Sequence, residues 1–294
     1  MDDVYEHTKE NDHHKIVKCS SCNHIQLFPL DIDLKEYYDH DKQDKHVINI
    51  GNRERDEWLE MVNSQSEQRM AYLSEIIDLL LKTKNEISVC DIGGGYGHFC
   101  RNMKNKYKEK VNVTLIEPGT SRINKYLNED ITVIESFLNE DLTRAHSQKY
   151  DLVTCFHVFE HVFEPKKFIV SLRQLVKNDG YYCIEVPNHN NELLELCETF
   201  KKKVWYINCH ISYFTPKIFL SLLTDENNIL VKMRGFERYG LFNFLYWLYY
   251  NEPQKGKVNY FNGKSLHEIE DSWIENRNKN MMSDSIYAIV QKIC

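Results

Sequence analysis

The chain reads as an open, mostly parallel α/β sheet covered by helices on both faces, and three observations carry that reading. Short apolar segments of strand length alternate with amphipathic segments of helix length from residue 55 onward. A glycine cluster follows the first of these strands, and an acidic residue closes the second. Strands separated by helices imply parallel crossovers and a sheet buried on both faces. Such a sheet takes its ligand outside the carboxyl ends of its strands.

The elements follow in order. Residues 1–54 form a polar N-terminal extension, rich in His, Asp and Tyr, with one C-x-x-C pair at Cys19 and Cys22. From about Arg55 a helical pattern begins, with Met70, Leu73, Ile76, Ile77 and Leu80 on one face. Ile87–Ile92 is the first strand, Val111–Ile116 the second, Ile131–Glu135 the third and Asp151–Phe156 the fourth. Glu164–Lys177 is a helix, with Pro165 suited to its first turn and an apolar face of Phe168, Ile169, Leu172, Leu175 and Val176. Gly180 punctuates it, and Tyr181–Val186 is the fifth strand. Thr215 and Pro216 open a further helix as cap and first residue. Ile229–Met233 and Ile286–Val290 are late strands, separated by an aromatic insert at 238–283.

Bulk properties exclude several classes. The chain has 294 residues, enough for one α/β domain plus a smaller extension. A formal net charge of −7 supplies no global positive field for a phosphate backbone, so nucleic acid is not the expected partner. The N-terminal stretch MDDVYEHTKENDHH has no apolar core of a secretory signal. The most apolar run, Leu241 to Tyr250, is half the length a bilayer requires. Nine scattered cysteines do not form a disulfide framework and are expected to be reduced thiols in a cytoplasmic protein.

The segment VCDIGGGYGHF has the form D-x-G-x-G-x-G, with Asp91, Gly93, Gly95 and Gly97. Glycine there lets the backbone approach a ligand that a Cβ would keep away. Glu117 ends the second strand twenty residues beyond Gly97, where a carboxylate can accept hydrogen bonds from both hydroxyls of a ribose. A dinucleotide fold shares those two features. Its phosphate turn, however, wants G-x-G-x-x-G, and counting from Gly93 and Gly95 the third position falls on His98.

These stretches together resemble a class I S-adenosylmethionine-dependent methyltransferase of the bacterial group acting on sugars and other small molecules. The resemblance runs from Arg69 to Val290 and rests on CDIGGGYGHF, LIEPG, YDLVTCFHVFEHV, EPKKFIVSLRQLVKNDGYYCIEVPN and HISYFTP. It implies a Rossmann-like sheet whose last strand is antiparallel, and S-adenosyl-L-methionine as cofactor. It further implies that Asp91, Gly93, Gly95 and Gly97 hold the methionine end and that Glu117, beside Pro118, takes the ribose. Ser136 and Phe137 would lie by the adenine, and the Phe156 carbonyl would meet the methionine ammonium.

The chemical residues are expected straight after the fourth strand, in His157-Val158-Phe159-Glu160-His161. Methyl transfer to a hydroxyl needs a base, and His161 is the first choice, with Glu160 orienting its ring or contacting the acceptor. The same residues spell H-x-x-E-H, formally an inverted zinc-peptidase motif, but that motif needs a helix and a distant third ligand. A second arrangement is open: His157, Glu160, His161 and His210 form a three-His, one-carboxylate set for a divalent metal such as Mn or Mg. It resembles the metal site of small-RNA 2′-O-methyltransferases, except that His157 stands where those enzymes carry an acid. A third reading leaves the His-Glu-His group shaping the pocket only.

At the ends, Cys19 and Cys22 look like half of a zinc ribbon, of which related sugar C-methyltransferases carry two pairs. The expectation here is a degenerate ribbon without metal. Tyr37 and Tyr38 resemble an arm over the acceptor site, and the aromatic insert resembles a segment of surface-sugar methyltransferases, expected to be a lid or homodimer surface. The function expected from all this is O-methylation of a small polar acceptor, a sugar or capsule precursor. The alternatives are C- or N-methylation of a nucleotide-linked sugar, a metal-dependent RNA 2′-O-methyltransferase, and a non-catalytic cofactor-binding regulator.

Overall fold

The computed structural model describes residues 1–33, 55–119, 130–254 and 264–293. In chain order its strands are β1 (Asp2–Tyr5), β2 (Lys15–Lys18), β3 (Ile25–Phe28), β4 (Ile87–Ile92), β5 (Val111–Ile116), β6 (Ile131–Ile134), β7 (Tyr150–Phe156), β8 (Val176–Pro187), β9 (Ser212–Tyr213), β10 (Asn228–Phe236) and β11 (Ser285–Lys292). Its main helices are α1 (Arg55–Thr83), α2 (His98–Tyr107), α3 (Glu140–Ala145), α4 (Pro165–Leu175), α5 (Pro216–Leu223), α6 (Gly240–Tyr250) and α7 (Lys264–Lys279). Among the described residues no helix is long and apolar enough to cross a membrane.

Seven strands form one sheet in the order β10-β11-β8-β7-β4-β5-β6. The five strands from β4 to β8 run parallel, and β11 is antiparallel to both of its neighbours. All seven residues of β7 are buried, as a central strand covered on both faces requires. Side chains alternate along it: Leu152 and Phe156 join a core with α1 and α2, while Val153 and Cys155 join a second core with α4 and α5. Helix α1 buries the expected stripe of Met70, Leu73, Ile76, Ile77 and Leu80 against the first core. The chain leaves β4 toward β5 and β6, then returns to β7 on the other side. The carboxyl ends of β4 and β7 therefore flank the switch point where such sheets open a crevice.

Three elements depart from expectation. Helix α4 stops at Leu175, two residues short, because Val176 turns extended and pairs with Tyr150 to begin β8. The late strands are longer than their apolar centres, since each pairs with the other over its full length. The polar extension holds strands β1 to β3, joined to β9 in a four-stranded antiparallel sheet. Ile16, Ile25 and Leu27 pack there with Phe200, Trp205 and Trp247, making a third core. Cys19 and Cys22 sit in the β2–β3 turn, and no third ligand atom joins them among the described residues. Tyr37, Tyr38 and residues 255–263 of the insert lie outside the described residues.

Candidate active site

The glycine turn leaves β4 directly into the crevice. Gly93, Gly95 and Gly97 all have positive φ, between 55° and 72°, a region that costs an L side chain strain. Gly94, which spacing alone did not single out, is constrained by space instead. A Cβ there would fall on Asp91 Oδ2 and within 2.6 Å of Leu115 Cδ1. The Gly95 amide donates to Glu117 Oε2 at 2.9 Å, and the Gly119 amide donates to Oε1 at 2.9 Å. The carboxylate at the end of β5 thus holds the turn and is itself fixed.

Asp91 is 1% exposed and accepts hydrogen bonds from Thr154 Oγ1 at 2.7 Å and from the Cys100 thiol. Burial pushes its carboxyl up to about 7, against the effect of those bonds and of Arg69. A cation bound beside it would stabilise the charged form.

A cavity of about 390 Å³ opens here, within the usual size of a small-molecule site. Asp91, Gly93, Gly95, Glu117, Pro118, Ser136, Phe137 and Phe156 line it, as do His157 and His161. Gly97 lies behind, capping α2, and Glu160 and His210 are not in the wall. Phe137 is 42% exposed at the rim, offering a ring face to a planar group. Trp58, Arg69 and Tyr96 also line it, and none of them is among the residues expected from the sequence. Arg69 had a signal: it lies four residues before Leu73, on the stripe of α1 that is buried, and a charge there needs a partner.

That partner is Glu185, fully buried on β8. Arg69 forms a two-pronged pair with it at 3.0 and 2.6 Å, and the Tyr72 hydroxyl adds a third bond at 2.7 Å. Burial alone would raise the Glu185 carboxyl, but Arg69 and His157 hold it well below the usual carboxylate range. His157 Nε2 lies 2.9 Å from Glu185 Oε1 and 3.0 Å from Arg238 Nη1, while Nδ1 faces Glu160 at 3.2 Å. Its backbone has φ of 54°, a strained value for a β-carbon residue of the kind that clusters at functional sites. Arg238 is paired in turn with Asp284.

His161 is built differently. Its Nδ1–H donates to the Cys209 carbonyl at 2.6 Å, which makes Nε2 the basic nitrogen of that tautomer. Burial lowers its pKa, opposed by Glu160 and the Cys209 carbonyl, so the ring is neutral near pH 7. Burial would raise Glu160, but the hydrogen bond from His157 and the nearby His161 bring it down to about 2. His210 stacks edge-on against His161 at 5.0 Å. Of the four residues expected as a metal set, Glu160 Oε1 lies 3.2 Å from His157 Nδ1 and 3.8 Å from His161 Nε2. The ligand atoms of His161, Cys209 and His210 lie within 4.8 Å of one another, whereas His157 is turned to Arg238 and the two glutamates.

The sequence profile of the methyltransferase-domain family matches residues 65–271, well over half of the chain. The chain belongs to this methyltransferase-domain family. Curated relatives of this methyltransferase include ubiquinone biosynthesis O-methyltransferases. The one from Nitrosomonas europaea is 28% identical over 124 residues, covering 42% of this chain and 51% of the relative. That from Salmonella paratyphi A is 29% identical over 130 residues, covering 42% of this chain and 50% of the relative. The methyltransferase thus spans about half the length of the curated relatives it matches. Among solved structures it is similar to the plantazolicin methyltransferase BamL in complex with a triazolic desmethylPZN analog and SAH. The TM-score is 0.54 at 16% identity, covering 88% of this chain and 93% of that one. The related BpumL structure matches with a TM-score of 0.53 at 19% identity, covering 89% and 95%. At these identities the likeness is one of fold.

The residues present fit S-adenosylmethionine. The turn presents Gly93, Gly94 and Gly95 to the cavity, where a Cβ at Gly95 would meet no protein atom within 4 Å, and the carboxylate-bearing Asp91 and Glu117 line the same cavity. Glu117 is held by the Gly95 and Gly119 amides at the cavity wall, and Phe137 stands at its rim.

Proposed function

We propose that this methyltransferase methylates a hydroxyl oxygen of a small polar acceptor, with His161 as the general base. One observation carries the reading: the His161 ring borders the cavity, and its Nδ1–H is committed to the Cys209 carbonyl. Bound S-adenosylmethionine supplies an electrophilic methyl group on a positively charged sulfur. Asp91 would hold the methionine ammonium, Glu117 the ribose hydroxyls, and Phe137 the adenine face. Ser136 and Pro118 would close that end of the site, and Arg69 offers a cation to the methionine carboxylate. His161 Nε2 accepts the hydroxyl proton as the oxygen attacks in line. Glu160, kept ionised, stabilises the imidazolium that forms, its Oε1 being 3.8 Å from Nε2. His157 holds Glu160 in place through its Nδ1 contact.

A sugar or capsule precursor remains our first acceptor class to test, on the strength of the aromatic insert. A cytoplasmic location is proposed from the free thiols of all eight described cysteines. The test is turnover of S-adenosylmethionine over a panel of sugars, nucleotide-linked sugars and other hydroxyl acceptors, followed by His161→Gln. A fall in kcat of about 10²- to 10⁴-fold with unchanged S-adenosylhomocysteine affinity is expected. A fall of less than about fivefold would remove His161 as the base.

A second reading places a divalent cation on His161 and His210, and two observations favour it. Cys209 joins them as a third donor, and Glu160 Oε2 is buried without a hydrogen bond among the described residues. His157 would then serve as an anchor and not as a ligand, because the Arg238 guanidinium beside its Nε2 repels a cation. A chelator that abolishes turnover, with recovery on adding Mn²⁺ or Zn²⁺, would select this reading over the unassisted base.

A further inference from the structure

Strands β2 and β3 form a hairpin in which Lys15 pairs with Phe28 and Lys18 with Ile25. The turn carrying Cys19 and Cys22 closes one end, and the open end brings His13 and His14 beside Asp31. His14 Nε2 lies 2.7 Å from Asp31 Oδ1, and His13 Nε2 lies 2.9 Å from Asp31 Oδ2. One carboxylate therefore faces two imidazoles, and the ligand atoms of the three residues lie within 4.8 Å of one another. Hydrogen positions follow for His14. The backbone amides of His13 and His14 donate to Asn11 Oδ1 at 3.1 and 3.0 Å, which fixes that atom as the oxygen of the side-chain amide. His14 Nδ1 lies 3.0 Å from the same oxygen, so it carries a hydrogen and donates. In a neutral ring Nε2 then holds a lone pair, and that lone pair faces a carboxylate oxygen that has no hydrogen either. His13 can meet Asp31 as a neutral donor; His14 cannot. A positive charge has to stand between His14 and Asp31, either a proton on the ring or a cation held by both.

We propose that His13, His14 and Asp31 bind a divalent transition metal of the zinc class. Two imidazoles and a carboxylate are a nitrogen and oxygen set that such ions accept, with positions left for water. A metal-bound histidine characteristically has its other ring N–H held by an acceptor, and Asn11 fills that role for His14. The spacing agrees. Ligands at about 2.0–2.1 Å from a tetrahedral zinc stand about 3.3 Å apart, so each imidazole need move only roughly half an ångström from Asp31. The His13 side chain is 63% exposed and that of Asp31 54%, which lets both adjust and opens the site to ions from water. The His14 side chain, 8% exposed, supplies a fixed base. A proton would satisfy His14 alone, whereas one dication satisfies all three groups. Bound there, the ion clamps the open end of the hairpin by joining the segment before β2 to the one after β3. The segment before β2 also meets the loop leading to Cys209, through the Lys9 amide on the Tyr206 carbonyl and the Asn208 amide on the Glu10 carboxylate. The site lies apart from the methyl-transfer cavity and stands whether or not His161 is the base.

The test uses the full chain, stripped with a chelator and titrated with Co²⁺ as a visible stand-in for zinc. Wild type is compared with Asp31→Asn and His14→Gln, and the difference isolates this site from the His161, Cys209 and His210 group. The expected difference is a saturable d–d absorption that zinc displaces and that carries no thiolate charge-transfer band. Asp31→Asn keeps the shape of an exposed side chain and should weaken this component by at least about 10- to 100-fold, the scale of losing one outer-shell partner of a metal. His14→Gln should weaken it at least as much. Zinc should also raise the Tm of the wild type more than that of Asp31→Asn. Circular dichroism and S-adenosylhomocysteine affinity confirm that each variant is folded. Equal Co²⁺ affinity in wild type and Asp31→Asn, or a signal made of thiolate charge transfer alone, would overturn the site. So would the absence of any saturable band, in which case a proton on His14 takes the place of the ion.

Discussion

If Asp91 meets the methionine ammonium as proposed, one buried carboxyl sets the pH behaviour of the cofactor site. Asp91 titrates near 7 because it is desolvated, and an ammonium bound beside it favours the ionised form. The sign follows directly: above pH 7 the carboxylate is ready for the cation, and below it a proton must leave before binding. S-adenosylhomocysteine affinity is therefore expected to be flat above pH 7 and to fall below it, by at most about tenfold per pH unit. Isothermal titration across pH 5.5 to 8.5 checks this, with proton release visible as a buffer-dependent enthalpy. An affinity that does not change over that range would mean Asp91 does not meet the ammonium. At this scale the sequence was most informative for Asp91 and Glu117, because each stands at the end of a strand beside a motif that marks it, although Thr154 and Gly95, which bond them, lie 63 and 22 positions away. Arg69, Glu185, Arg238 and Asp284 were missed because their roles depend on partners 46 to 116 positions distant, which only the sheet brings together.

Elements with a strong local pattern were legible, and the glycine turn is the clearest case. Its conformation is dictated within five residues, so the motif alone places it. Gly94→Ala should test how tightly the turn is cut, since the new methyl meets Asp91 and Leu115. We expect cofactor affinity to fall by about tenfold or more, with destabilisation of about 1–3 kcal/mol from overpacking. Equilibrium denaturation and ligand titration report the two separately, and near-wild-type values for both would show that the turn relaxes. Strands β1 to β3 were illegible for the opposite reason. Each has four residues and a charged or polar flank, and pairing with one another and with β9 holds them. Helix α6 was hidden by excess: an apolar run without a polar face carries no 3.6-residue signal.

Over the whole molecule, the small sheet and the large one are joined by backbone as well as by packing. The Leu27 amide donates to the Ile211 carbonyl at 3.0 Å, and the Ile211 amide donates to the Glu160 carbonyl at 2.8 Å. The N-terminal sheet therefore braces the turn that carries His161. Leu27 is fully buried in the third core, and Leu27→Ala is expected to cost about 2–5 kcal/mol. If the two sheets unfold together, calorimetry will show one transition moved to lower temperature. A separate early transition, with the main one unmoved, would show that the small sheet melts alone. The order of strands has a further consequence, for how the protein is made. Strand β11 follows nearly everything else in the chain, yet it sits inside the sheet between β8 and β10. Until the ribosome has delivered it, β8 presents a bare edge and β10 has no place to dock. Arg238 must wait for the Asp284 segment before its charge is paired, so the growing polypeptide is most exposed to aggregation in the interval before β11 is delivered.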